Sequence, residues 1–305
     1  MKIRLFTIAA TFFILFLLLS PVQADAPYGL SYLTVGVGGR AVGMGEAAVA
    51  IADDPTAAYW NPAGLVSASK SAAVFTYHRW IQDVAGQFAA GNFRWHQSAL
   101  AIYYLGMNVD DLELRITPSE NPIGTFGAHD ICLGLSYARI LYPKLQLGMT
   151  LKLLWESIYT ETSEGWAFDF GVQHHDVIPG LSIGAALRNL GEMNALRYEG
   201  PSLPTRFRLG AAYQFRGAGI LPVHSILVAS DAELPFGDDP NEHFGVEVRP
   251  ITPLALRAGY ILGIEARSVT AGFGIDWSRF HVNYGFAPFK ENLGDGHRFS
   301  LGLDF

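Results

Sequence analysis

From about residue 70 to the C-terminus the chain alternates apolar and polar side chains with a period of two. Leu145, Leu147, Met149, Leu151, Leu153 and Trp155 share one side of an extended segment, and Gln146, Gly148, Thr150 and Lys152 share the other. The pattern returns over 166–172, 207–215, 269–277 and 280–286. In the closing run, Phe299, Leu301, Leu303 and Phe305 oppose Arg298, Ser300, Gly302 and Asp304. Such alternation is the signature of strands with two chemically different faces. Pro143-Lys144, Pro179-Gly180, the stretch from Pro250 to Pro253 and the acidic stretch 235–240 interrupt pairing and mark turns. In a membrane barrel one row meets lipid and the other a polar lumen. A soluble β-sandwich is the competing architecture, but it needs neither so many strands nor an apolar final strand ending in Phe.

The roughly 236 residues after position 69 divide into about fourteen units of about 17 residues, enough for a tilted strand of about 9–11 residues in the bilayer plus a turn. One further candidate strand, 112–116, is assigned to an excursion, because bacterial barrels have an even number of strands. Trp155, Trp166, Tyr213, Phe215, Tyr260 and Trp277 lie near strand ends, where aromatic girdles meet the membrane interface. Lys152, Asp169, Arg188, Arg206, Arg208, Glu247, Arg249, Arg257 and Asp276 all fall in the polar phase. A charge facing lipid at midplane costs about 2–4 kcal/mol, so this row is placed inward, as salt-bridged filling in preference to a selective pore.

The N-terminus sets the compartment. Lys2 and Arg4 precede an apolar run of about 15 residues, shorter than the about 20 a spanning helix needs, and a small-x-Ala site ends at Ala24. The expected division is a signal peptide over 1–24, a plug segment over 25–69 and a barrel over 70–305, exported to the outer membrane with cleavage after Ala24. Half the residues are hydrophobic, yet no later stretch resembles a membrane helix, which again favours strands. A single cysteine, Cys132, excludes an internal disulfide, and a net charge of −7 argues against a nucleic-acid partner.

Residues 25–69 follow a different grammar, rich in Gly and Ala. The stretch from Glu46 to Ala52 is expected to form a short helix that stops at Asp53-Asp54-Pro55, and Asn61-Pro62 to form a turn in which Gly64 takes a positive φ. Small residues suit a peptide packed inside a narrow barrel. The glycines miss the G-x-G-x-x-G spacing of a phosphate loop, and no βαβ unit follows.

The run GVGGRAVGMGEAAVAIADDPTAAYWNPAGL at 36–65 resembles the N-terminal signature of the PorV/PorQ family, within the FadL-like superfamily of long-chain fatty-acid transporters. The resemblance continues through FGAHDICLGLSYARIL (126–141), AALRNLG (185–191), LALRAGY (254–260) and the closing strand. It implies an all-β transmembrane barrel of fourteen antiparallel strands, with a hatch carried by Asn61, Pro62, Ala63, Gly64 and Leu65. It also implies Phe305 as a signal read by the barrel-assembly machinery. PorV-type relatives are non-enzymatic partners in type IX protein secretion or surface attachment. The short polar loops favour that role over the alternative, passive FadL-like transport of hydrophobic small molecules or fatty acids. The partners expected are outer-membrane lipid, the assembly machinery, and either secretion proteins and their cargo or a hydrophobic ligand.

Two motifs invite other readings. Gly180-Leu181-Ser182-Ile183-Gly184 matches a nucleophile elbow but lies in an alternating strand, without the strand–turn–helix setting that exposes the serine. His129-Asp130 and His174-His175-Asp176 sit at strand edges, where neighbours point to opposite faces. No catalytic residue, metal or cofactor is expected.

Overall fold

The structure, a computed structural model, describes residues 29–80, 84–115, 121–195, 200–216, 223–291 and 293–305. The signal peptide over 1–24 and its cleavage after Ala24 lie outside them.

Fourteen strands form one closed sheet: β1 (Ala72–Arg79), β2 (Ala85–Trp95), β3 (Ser98–Leu114), β4 (Gly124–Tyr142), β5 (Leu145–Ile158), β6 (Glu161–Ile178) and β7 (Leu181–Met193), then β8 (Arg206–Arg216), β9 (Ser225–Pro235), β10 (Asn241–Ile251), β11 (Leu254–Leu262), β12 (Val269–Trp277), β13 (Phe280–Pro288) and β14 (Asp295–Asp304). Every strand pairs antiparallel with its sequence neighbours, and β1 closes on β14 from Ala72–Asp304 to Arg79–His297. Closure pairs the first strand with the last, the condition for a sheet to cross lipid. The termini of the barrel share one end with the Pro143-Lys144 and Pro179-Gly180 turns, where Lys144 and Gly180 take positive φ.

The distribution of side chains is inverted relative to a water-soluble protein. Phe75, Ile102, Leu135, Leu151, Phe273 and Leu301 point outward and are exposed, while Thr76, Ser136, Thr150, Lys152, Asp169 and Arg208 are buried inside. Alternation and pleat therefore place each row as the period of two requires.

Among the described residues, two of the five register shifts in the sheet bear on the site. Leu112, Glu113 and Leu114 pair with Phe126, Thr125 and Gly124, so the piece at 112–114 is the upper part of β3 and not an excursion. A bulge between Val109 and Leu112, with Asp111 at positive φ, inserts one residue and shifts the phase of the alternation. A second bulge sets Leu187 and Leu190 of β7 against Phe170 and Phe168 of β6, with Asn189 at positive φ. Beyond it the β7–β8 ladder stops at Arg188–Arg206, although β7 runs on to Met193.

The core is inside the ring. From Leu30 to Ala68 nearly every residue is buried, and the segment touches the inner faces of β3 to β6 on one side and β11 to β14 on the other. Its helices are Gly39–Gly43 and Ala57–Trp60, with 3-10 turns at Ser31–Thr34 and Pro62–Val66. The stretch from Glu46 to Ala52, expected as a helix, is a chain of turns. Its amides at Ala48 and Val49 bond to a barrel carboxylate, and its Val49 and Ala52 carbonyls accept from a barrel glutamine, so tertiary partners replace the helical ladder.

Candidate functional site in the barrel lumen

Asn61 to Leu65 are fully buried, at the centre of the lumen segment. Pro62 starts the 3-10 turn, where its fixed φ suits the first helical position and holds Asn61 extended (φ −159°). That conformation makes Asn61 the cap: its Oδ1 accepts from the Ala63 amide at 3.2 Å. Its Nδ2 donates to Val49 O within the segment (2.8 Å), and to Val172 O of β6 (3.1 Å) and Ala185 O of β7 (3.3 Å). One side chain thus ties turn, segment and wall together. Gly148 and Gly171 face Pro62 and Asn61 so closely that a Cβ on either would collide with them. The Leu65 carbonyl accepts from Asn92 of β2 at 3.3 Å.

Gly64 departs from expectation. It is not at positive φ; it lies in the 3-10 turn, and glycine is needed because a Cβ there would strike the Ala52 carbonyl. Close backbone approach, not a left-handed bend, is the constraint.

Further anchors come from the inward-facing Arg188 and Arg208 and from Asp231, Gln173, His243 and Arg267, which sequence reasoning did not single out. Asp231 of β9 accepts from the amides of Ala48 (2.8 Å) and Val49 (2.9 Å) through one oxygen. Gln173 donates to Val49 O and Ala52 O. His243 Nδ1 donates to Gly45 O at 2.7 Å, and Arg208 Nη1 to Glu46 O at 2.9 Å. Tyr59 and Trp60 meet edge to face, with the Arg188 guanidinium 4.0 Å from the Tyr59 ring centroid and that of Arg208 5.3 Å from Trp60. The Glu46 carboxylate forms a two-pronged pair with Arg267 of the β11–β12 loop, at 2.6 and 2.9 Å. Burial alone would raise Glu46; the Arg267 guanidinium outweighs it and holds the carboxyl at about 2. Asp231 and His243 lie in the inward phase of β9 and β10, so strand alternation was the signal that could have found them.

The inward charges form pairs: Lys152–Asp169 (2.6 Å), Arg206–Glu233 (2.7 Å), Arg257–Glu247 (2.7 Å) and Arg249–Asp276 (2.6 Å), with Arg208 also on Glu233. The arrangement is salt-bridged filling around the segment.

Two cavities flank it. At the end carrying the barrel termini, a cavity of about 980 Å³ is lined by Ile51, Val66, Lys144, His175, Ser182 and Phe215 among others. At the opposite end a cavity of about 340 Å³ lies between Thr34, Glu46, Arg208, Asn241, His243 and Arg267. Ser182 follows a turn and opens strand β7; its Oγ is 3.2 Å from His175 Nδ1, whose Nε2 meets Ser67 Oγ at 2.8 Å, so this histidine links the end of the segment to the wall. Among the described residues no group of three or more His, Cys, Asp or Glu is placed to hold a metal. Phe305 donates its amide to Ser71 O at 2.9 Å and leaves its ring exposed beside the outer surface.

No family model matches the chain, and no curated protein is similar to it. Solved structures are. The Ralstonia pickettii toluene transporter TbuX superimposes with a TM-score of 0.61 at 14% identity, over 88% of this chain and 98% of its own. The CymD monoaromatic hydrocarbon channel gives 0.64 at 14% identity, over 92% and 99%. A Pseudomonas aeruginosa FadL homologue gives 0.60 at 12% identity, over 93% and 100%. The barrel fold implied by the FadL-like resemblance is thus supported, and the PorV/PorQ part, with its secretion role, has no support in these neighbours. The closed fourteen-strand antiparallel barrel of this chain has the fold of FadL-type bacterial outer-membrane proteins.

Proposed function

We propose that the protein is a non-enzymatic outer-membrane transporter of small hydrophobic molecules, with residues 30–68 acting as a hatch. The observation that carries the reading is the pair of cavities on opposite sides of that segment, in a barrel whose fold is shared over most of its length with hydrocarbon transporters. With the termini at the periplasmic end, as in barrels of even strand number, the cavity of about 340 Å³ faces outward from the cell and that of about 980 Å³ faces the periplasm. The segment is held by directional hydrogen bonds and ion pairs and by no strand ladder, so it can shift without opening the sheet.

The wall offers a sideways route as well. Among the described residues, the β7 edge above Arg188–Arg206 is covered by the segment 200–205, through Asn189 Nδ2 to Pro204 O (3.0 Å) and Thr205 Oγ1 to Asn189 O (2.7 Å). Two side-chain bonds are a weaker closure than a ladder, and a hydrophobic solute released there enters lipid directly.

Toluene uptake tests the proposal. Purified protein in liposomes should admit toluene faster than protein-free liposomes, and displacing the hatch by Asn61→Ala should raise the rate. Equal uptake with and without the protein would sink the transport reading.

A further inference from the structure

One permanent cation faces outward from β4. Ile131, Leu133, Leu135 and Tyr137 point outward along this strand, and Arg139 continues the same row, exposed and in phase with them. It lies about 10 Å along the strand from Tyr142, where β4 ends at the same end of the barrel as the termini. Among the described residues it is the only guanidinium or ammonium on the outward face of the strands in that half of the barrel. The other ionisable side chain there, His174, sets its Nδ1 3.1 Å from the carbonyl of His175. Among the described residues no carboxylate pairs with Arg139; the outward-facing Glu164, Glu192 and Glu242 belong to the opposite end of their strands. A charge at the lower edge of the apolar belt reaches for the headgroup level, where the counter-charge on offer is that of lipid.

Its surroundings are built of interface chemistry. Arg139 is the register partner of Ser98 at the start of β3, and Ser98 in turn that of Trp95 at the end of β2, so the three share one row across the wall. A tight turn with His96 at positive φ joins Trp95 to Ser98, and the Ile140 amide bonds to Gln97 O at 2.9 Å just below. Phe93 stacks on Trp95 with centroids 5.8 Å apart, and the Tyr137 ring stands 6.4 Å from Trp95. The Ser98 and Tyr137 hydroxyls are 3.1 Å apart. Only one of them can donate to the other, so the second keeps its hydrogen for an outside acceptor. A guanidinium fork, a free hydroxyl donor and a ring pair that favours the interface suit a phosphate with acyl chains above it. An ammonium headgroup finds no carboxylate beside Arg139, so a lipid of net negative charge fits better than a zwitterionic one.

We infer that Arg139, Ser98, Tyr137 and Trp95 form a binding site for the phosphate of an anionic phospholipid in the periplasmic leaflet. The site lies on the outer wall, apart from the lumen segment and its two cavities, so it stands whether or not a solute crosses the lumen. Trp95, Ser98 and Arg139 come from three successive strands, and one bound headgroup therefore fixes the depth of this wall at the interface.

Phosphatidylglycerol and phosphatidylethanolamine with the same acyl chains form a matched probe pair, titrated into the detergent-solubilised protein and read by native mass spectrometry. Wild type should bind phosphatidylglycerol more tightly than phosphatidylethanolamine. Arg139→Gln should weaken phosphatidylglycerol about fivefold and erase the preference. Arg279→Gln, which removes a cation from the β12–β13 turn at the same end of the barrel, should leave the affinity within about twofold of wild type. Ser98→Ala combined with Tyr137→Phe, which alters no charge, should weaken binding about threefold. Heat-modifiable migration confirms that each variant is assembled. Excess inorganic phosphate should not displace the lipid, because it lacks the acyl chains that meet the rings. Wild type without the preference, Arg139→Gln binding like wild type, an equal loss in Arg279→Gln, or displacement by inorganic phosphate would overturn the site. If Arg139→Gln fails to assemble, the hydroxyl pair decides: weakened binding supports the site, and wild-type affinity refutes it.

Discussion

Replacing Asn61 should undock the lumen segment without touching the barrel. In Asn61→Ala the cap to Ala63 N disappears, at about 1 kcal/mol. The two Nδ2 hydrogens that serve the carbonyls of Val49, Val172 and Ala185 also go, at about 1 kcal/mol each. The total of roughly 3 kcal/mol lowers the docking equilibrium constant roughly a hundredfold. Asn61→Asp separates two explanations. Aspartate caps helices as well as asparagine does, so capping alone makes this change neutral. Here it directs a carboxylate, which cannot donate, at three buried carbonyl oxygens, so it should be worse than alanine. Hydrogen exchange followed by mass spectrometry in detergent reads the amides of Ala48 and Val49, which the docked segment presents to Asp231. Their protection should fall roughly a hundredfold in Asn61→Ala and further in Asn61→Asp, while β9 to β12 keep theirs. Wild-type protection in Asn61→Asp would refute the reasoning, since only the cap would then matter.

Two other outcomes follow from single contacts. The Glu46–Arg267 pair should show in acid: a carboxyl held at about 2 against an ordinary 4.5 contributes stability in full above pH 4.5 and loses it as pH falls through about 2. Segment amides should therefore stay protected at pH 4.5 and lose protection toward pH 2, and Glu46→Gln should cost roughly 3 kcal/mol of docking at neutral pH by leaving Arg267 unpaired; protection unaffected by that substitution would count against the anchor. Deleting Phe305, whose side chain is exposed and outside the core, should lower outer-membrane levels on immunoblots far more than Asp304→Asn, which gives up only a 3.3 Å contact to His281 worth under about 1 kcal/mol; equal levels would argue against an assembly role.

Period-two alternation is a local property, so the strands, their two faces and the turns at Pro143-Lys144 and Pro179-Gly180 were legible from the chain alone. The inward placement of Lys152, Asp169 and Arg208 followed from the same pattern and the cost of charge in lipid. Where local pattern was the wrong guide, a tertiary contact had replaced it. Alanines from Glu46 to Ala52 have helical propensity, but Asp231 and Gln173, more than a hundred residues away, take their amides and carbonyls instead. Gly64 carried no sign that Ala52 lay against it. The bulge in β3 broke the alternation and disguised one strand as two. Which inward charge meets which carboxylate depends on strand register and on closure of β1 upon β14, which no local window contains. The same holds for Arg298 of β14: its polar phase is visible in the sequence, but that its Nε and Nη1 are buried without a partner is a property of the closed barrel alone.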